Sequence, residues 1–179
     1  MRIVNLVNTG GTIEKTYQET DGSLLNLDAR LDSFLRRLRL PDVRLRTTRL
    51  MNVDSLQMGD EDRDLVARAV AVKQKEGYPV IVTHGTDTMV ETGKTIKAAL
   101  GEPLVPVVMT GAMVPLGFEN SDGLQNLAEA ILATLFVPPG VWVVMHGQVL
   151  PVDNARKNRE RGTFEPVHPE PGTPTASCR

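Results

Sequence analysis

Two short stretches place hydroxyls and a carboxylate where glycine lets the backbone approach something closely. Residues 8–12 read Asn8-Thr9-Gly10-Gly11-Thr12 after an apolar run, and residues 84–88 read His84-Gly85-Thr86-Asp87-Thr88. A threonine hydroxyl is a weak nucleophile until a neighbour takes its proton. Thr86-Asp87 offers a second hydroxyl beside a carboxylate. A tight strand-to-loop turn, or an N-cap for the next helix, would use the same residue types. A capping aspartate needs no preceding glycine, whereas a backbone lying against a ligand does.

The elements that must position these residues follow from hydrophobic period. Residues 3–7 read as a buried strand, and Leu31, Phe34, Leu35 and Leu38 form one helical face. Residues 43–50 suit a half-exposed strand. The acid-rich start at residue 60 and the stop at Gly77 bound a helix with Leu65, Val66, Ala69 and Val70 on one side. Strands over 79–83 and 105–109 flank a helix at about 89–100. A stripe of Leu124, Leu127, Ala128, Ile131, Leu132 and Leu135 makes a further helix, and residues 141–145 make the last strand. Short, wholly apolar strands alternating with helices predict an α/β fold, a mostly parallel sheet covered on both faces.

Ligands of such sheets bind beyond the carboxyl ends of the strands. Five segments follow the strands: "NTGGT", "MNVDSLQM", "HGTDT", "TGAM" and "HGQVLPVDNARKN". Together they gather hydroxyls, carboxylates and small residues at one edge. Other motifs are decoys. "ETGKT" at 91–95 lacks the earlier glycine of a phosphate loop, since Thr88 stands there, and its Lys94 falls inside a helix. His84, His146 and His168 have no metal-ligand spacing. His84 and His146 each precede a glycine at a strand end, which suits turns.

The 179 residues suggest a body over 1–165 and a flexible Pro-rich tail over 166–179. A net charge of −2 and 4% aromatic residues argue against a nucleic-acid or membrane surface. Cys178 is the single cysteine, so no internal disulfide forms. The N-terminus is too short for a signal segment before the glycine turn, and no run could span a bilayer, so a cytoplasmic protein is expected.

The motifs "TGGTI" at 9–13, "HGTDT" at 84–88 and "TGAM" at 110–113, followed by "SDGLQNL" at 121–127, resemble the bacterial-type L-asparaginases. The match covers about residues 1–160, that family's larger N-terminal domain, and so looks like a short, single-domain form. The resemblance implies a Rossmann-like or flavodoxin-like sheet and hydrolysis of L-asparagine to L-aspartate and ammonia through a threonine acyl-enzyme. It also implies no cofactor or metal, a small amino-acid substrate, and a homodimer or homotetramer. Position by position, Thr12 matches the attacking threonine and Tyr17 the tyrosine that hydrogen-bonds it. Thr86 and Asp87 match the second threonine and its aspartate, and Lys157 the lysine that completes the triad. Ser55 matches the residue holding the substrate α-carboxylate, with Gly11, Asp54, Gly85 and Ala112 as the other substrate-binding positions. Leu56 and Val114 depart from the family pattern, which has a polar residue and an arginine there. The alternatives are a catalytically weak or inactive amino-acid-binding or interaction module on the same fold, or an amidase leaning toward glutamine. The segment 110–122, with Val114, Leu116 and Phe118, is the expected contact between protomers.

Overall fold

A computed structural model of the chain describes residues 1–27 and 30–168. In chain order the strands are β1 (Arg2–Gly10), β2 (Thr16–Tyr17), β3 (Leu24–Leu25), β4 (Val43–Val53), β5 (Val80–Thr83), β6 (Pro106–Thr110), β7 (Gly140–Met145), β8 (Gln148–Pro151), β9 (Ala155–Asn158) and β10 (Thr163–Pro166). The α-helices are α1 (Leu31–Leu35), α2 (Asp60–Gln74), α3 (Met89–Leu100) and α4 (Gly123–Ala133). The main sheet runs β4-β1-β5-β6-β7-β8; β4 to β7 are parallel and β8 is antiparallel.

Alternation along the central strands sorts side chains into two cores. Val80, Val82, Val107, Met109, Val143 and Met145 face α2 and α3, meeting Val66, Val70, Met89 and Ile96. Their neighbours Ile81, Val108 and Val144 face the other way, onto Leu31, Leu127 and Ile131 of α1 and α4. Strands buried on both faces must be apolar at every position, which is why they read as unbroken runs. β4 lies at the sheet edge, and its exposed Arg44, Arg46 and Arg49 blunt that edge against further pairing. From β1 the chain crosses to β4 on one side and then to β5 on the other. The loops after β1 and β5 therefore flank the point where the strand order reverses.

The structure corrects four expectations. β7 is not the last strand. His146 (φ 52°) and Gly147 (φ 72°) turn the chain into β8, and Asn158–Thr163 closes a separate β9–β10 hairpin. The turn at His146-Gly147 was expected, but the four-residue β8 beyond it is too short to show a period. On α4 the buried face is Asn126, Leu127, Ala130 and Ile131, while Leu132 and Leu135 are exposed; on α2 Ala67 is buried and Leu65 is exposed. Apolar stripes wider than the helix contact left the choice of face open. Leu116 is buried in the second core, and Phe118 is the one exposed large apolar side chain of the expected contact segment. Finally, Pro166 pairs with Ala155, and Val167 and His168 hydrogen-bond Asn154, so pairing continues past the expected boundary at 165. The rest of the expected tail, 169–179, lies outside the described residues.

Candidate active site

The glycine turn after β1 and the loop after β5 touch. Gly11 has φ 80°, and a Cβ there would collide with the backbone of Gly85. A Cβ on Gly85 would in turn collide with the Ser55 side chain. Three strand ends are thus held at backbone contact, which only glycine permits. Thr12 opens a 3₁₀ turn, Thr12–Glu14, next to this contact, and its side chain is partly exposed.

Buried polar groups fix the turn. Thr9 Oγ1 donates to the Thr83 carbonyl at 2.8 Å and Thr83 Oγ1 to Asn8 Oδ1 at 2.9 Å, tying β1 to β5. Asn8 Nδ2 donates to Glu14 Oε1 at 2.7 Å, and the buried Glu14 carboxylate accepts from the backbone N–H groups of Arg30 and Leu31 at the start of α1. Asn26 Nδ2 reaches the Gly11 carbonyl at 2.8 Å and anchors the β2–β3 hairpin to the turn. Sequence reasoning singled out none of Asn8, Glu14 and Asn26. The only signal was polar residues inside apolar or turn segments.

Lys157 comes from the remote hairpin. Its Nζ donates to Thr86 Oγ1 at 2.7 Å and to Asp87 Oδ1 at 3.0 Å. Phe164, opposite Lys157 in the hairpin, is buried in the first core and seats the strand that carries the lysine. Arg159, one alternation further along, also reaches Asp87 Oδ1, at 2.9 Å. Period-two spacing in "RKNR" was its signal, masked by the look of a basic surface run.

Ser55 is 1% exposed and its hydroxyl has no partner; the Ser55 carbonyl accepts from Thr88 Oγ1 at 2.9 Å. An orphan buried hydroxyl at the mouth of the strand ends is suited to accept from or donate to a bound molecule. Asp54 pairs with Lys15 at 2.6 Å. Burial works to raise the Asp54 carboxyl, but the Lys15 and Leu56 hydrogen bonds and the charges of Lys15 and Lys157 outweigh it and hold it below the usual value. Burial drives His84 down to about 4, against an opposing hydrogen bond with the Gly85 carbonyl, so the ring is neutral and its Nδ1 contact of 2.8 Å to that carbonyl shapes the loop.

Gly11, Ser55, Gly85, Thr86, Asp87 and Lys157 are therefore brought together, with Asp54 beside them through Lys15. Ala112 is fully buried behind the site in the second core. Tyr17 is not brought to Thr12: it is 54% exposed, pairs with Leu24, and its hydroxyl lies over Gly22 of its own hairpin. A cavity of about 410 Å³ beside this hairpin is lined by Lys15, Tyr17, Phe34, Leu116 and Phe118, among others. Behind the site His146 Nε2 meets Asp122 Oδ2 at 2.7 Å and Nδ1 meets Thr163 Oγ1 at 3.0 Å, linking α4 to the hairpin. Among the described residues no group of three or more His, Cys, Asp or Glu could hold a metal ion.

A family model described as Asparaginase, N-terminal, matches residues 3–171. The chain belongs to the asparaginase family. It is 31% identical over 147 residues to an L-asparaginase of Thermococcus kodakarensis, covering 81% of this chain and 44% of that protein. It is 34% identical over 149 residues to a glutamyl-tRNA(Gln) amidotransferase subunit of Haloquadratum walsbyi, covering 80% and 33%. The solved thermostable L-asparaginase from T. kodakarensis superposes with a TM-score of 0.79 at 27% identity, over 93% of this chain and 52% of that one. A probable cytoplasmic L-asparaginase from Campylobacter jejuni gives 0.76 at 28% identity, over 88% and 50%. The chain spans about half the length or less of these relatives.

Proposed function

We propose that this asparaginase-family chain hydrolyses the side-chain amide of L-asparagine, giving L-aspartate and ammonia. Thr12 is the nucleophile. Its oxygen adds to the amide carbonyl, the amide nitrogen leaves as ammonia, and water then cleaves the ester to release aspartate and restore Thr12. Thr86, Lys157 and Asp87 move the proton from hydroxyl to leaving group. Ser55 receives the substrate carboxylate, Asp87 its amine, and Gly11, Asp54 and Gly85 line the path, with Ala112 packed behind it. Tyr17 reaches Thr12 when the β2–β3 hairpin closes. No cofactor takes part.

The observation that supports this reading most is the Lys157 contact with both Thr86 and Asp87. A surface lysine has no reason to leave solvent for a hydroxyl and a carboxylate 70 residues upstream. Release of ammonia from asparagine by the purified chain is the test, and no release at any substrate concentration refutes it.

A second reading is favoured by the relatives named as glutamyl-tRNA(Gln) amidotransferase components. In this reading the same chemistry would free ammonia for use inside an assembly with another protein. Ammonia release that appears only when a partner protein is added would support it. We also propose a homodimer or homotetramer and a cytoplasmic location. Sedimentation that finds a fully active species of the single-chain mass, 19.6 kDa, would overturn the assembly.

A further inference from the structure

Lys157 meets Thr86 and Asp87, but the strand that carries it belongs to a hairpin outside the main sheet. What ties that hairpin to the body therefore decides where the ammonium sits. Ala155 and Phe164 are buried, and such apolar contact is adhesive but non-directional. Lys157 and Arg159 reach only Thr86 and Asp87, the very groups the hairpin has to find. Among the described residues one further hydrogen bond joins residues 155–166 to the body, that between His146 Nδ1 and Thr163 Oγ1 at 3.0 Å. Thr163 directly precedes Phe164, the residue paired with Lys157 across the hairpin.

The body end of this tie is firmly held. His146 sits in the left-handed region at φ 52°, and its N–H donates to Asn126 Oδ1 at 3.1 Å. Its Nε2 lies 2.7 Å from Asp122 Oδ2. Asp122 accepts in turn from the N–H groups of Met113 and Val114, at 3.0 and 2.9 Å, and from Asn126 Nδ2 at 2.8 Å. Burial works to raise the Asp122 carboxyl, but the two backbone bonds and the imidazole outweigh it. A carboxylate can only accept, so Nε2 donates to it and Nδ1 is left to Thr163, whose hydroxyl can donate or accept. The ring thus bridges the loop after β6 and the hairpin. The left-handed turn alone needs no ring, since asparagine or glycine adopts it as readily.

We infer that His146 is a positioning residue for Lys157: through Thr163 it registers the β9–β10 hairpin against the loop after β6 and so sets the ammonium at Thr86. The inference rests on the amidohydrolase reading above, in which Lys157 serves the proton path, and adds to it a residue that touches no reacting group.

The test compares Thr163→Val, Thr163→Ser and His146→Asn in the full chain, by ammonia release from L-asparagine and by amide hydrogen exchange. Valine removes the hydroxyl without touching the turn, and asparagine keeps the turn but loses the ring. One hydrogen bond of this kind is worth about fivefold. Thr163→Val and His146→Asn are expected to lower kcat by about threefold or more, with KM within about twofold because Ser55 and Asp87 lie on other loops. Thr163→Ser restores the hydroxyl and with it the wild-type kcat. In the first two variants the amides of residues 155–166 should exchange about threefold faster or more while those of β5 and β6 stay protected. A kcat within threefold of the wild type in Thr163→Val, a loss carried by KM, or an equal loss in Thr163→Ser overturns the inference. The Thr163 pair decides the matter even where His146→Asn fails to fold. If the wild-type chain releases no ammonia, the amidohydrolase reading fails by itself. Exchange then decides whether His146 holds the hairpin, and the absence of a rise confined to residues 155–166 overturns that role.

Discussion

Lys157 Nζ lies 2.7 Å from the hydroxyl oxygen of Thr86, across 71 residues of sequence, and the same nitrogen donates to Asp87. An ammonium shared in this way cannot be removed without changing what the hydroxyl can do. Lys157→Met and Thr86→Ala should each cut kcat by about 10³-fold or more, and the double variant should be little worse than either, because members of one relay are non-additive. Losses that multiply would detach Lys157 from the chemistry and leave it a structural contact.

Thr12 begins the 3₁₀ turn beside the Gly11–Gly85 contact and is only partly buried. Thr12→Ala should therefore melt within a few degrees of the wild type while turnover falls by about 10³-fold or more, since the acyl acceptor is gone. Turnover near the wild-type level would assign the nucleophile to another group, with Thr86 the next to test.

Gly85 stands against Ser55 so closely that an added methyl would overlap the serine side chain. Gly85→Ala should cost about 1–3 kcal/mol of stability through overpacking and should raise KM more than it lowers kcat, because Ser55 must move. Chemical denaturation together with steady-state kinetics reads both effects. An unchanged KM would remove Ser55 from substrate binding.

His84 makes acid stability pH-dependent. Its folded value of about 4 lies below the ordinary 6.5, so between those limits the unfolded chain binds more protons. Stability is complete above about pH 6.5, falls as pH drops toward 4, and loses on the order of 3 kcal/mol from this group. Asp54 and Asp122, both held below the ordinary carboxylate value, add their losses at lower pH, beneath 3.8. Urea midpoints from pH 7 to 4 should therefore slope in the wild type and flatten in His84→Asn, which can keep a donor toward Gly85. Parallel slopes in the two proteins would show that His84 charges without penalty.

Truncation separates the end of the body from the expected tail. Removal of residues after His168 should leave Tm and activity unchanged. Removal after Glu165 takes away Pro166 from β10 and the Asn154 contacts of Val167 and His168. That second cut should lower Tm by several degrees. Equal melting for both would show that the contacts to Asn154 contribute nothing.

Much of the site was legible because its parts lie in single short loops. "TGGT" and "HGTDT" each carry glycine beside hydroxyls at the end of an apolar run, and the fold brings those ends together by topology alone. Lys157 was legible through its motif and not through its strand: β9 is four residues of mixed burial, with no period long enough to detect. Asn26 acts through long-range contacts that leave no local pattern, and the period-two spacing that carries Arg159 is hidden in a basic run. Glu14 was not singled out, yet it is 2% exposed and caps the entry to α1, a role visible only once α1 is folded against β1. The face of α4 escaped because Leu132 and Leu135 extend the apolar stripe without burial.

The hairpin that delivers Lys157 stands outside the main hydrogen-bonded ladder, as a two-stranded sheet of four residues per strand anchored by Phe164. Paired strands of that size open at a lower free energy than a six-stranded sheet. Heat should therefore silence the proposed turnover before it melts the protein. Warmed gently, the protein would keep its far-ultraviolet signal and its central amides would stay protected from exchange, while the hairpin amides exchange and turnover fades, and cooling would bring the activity back.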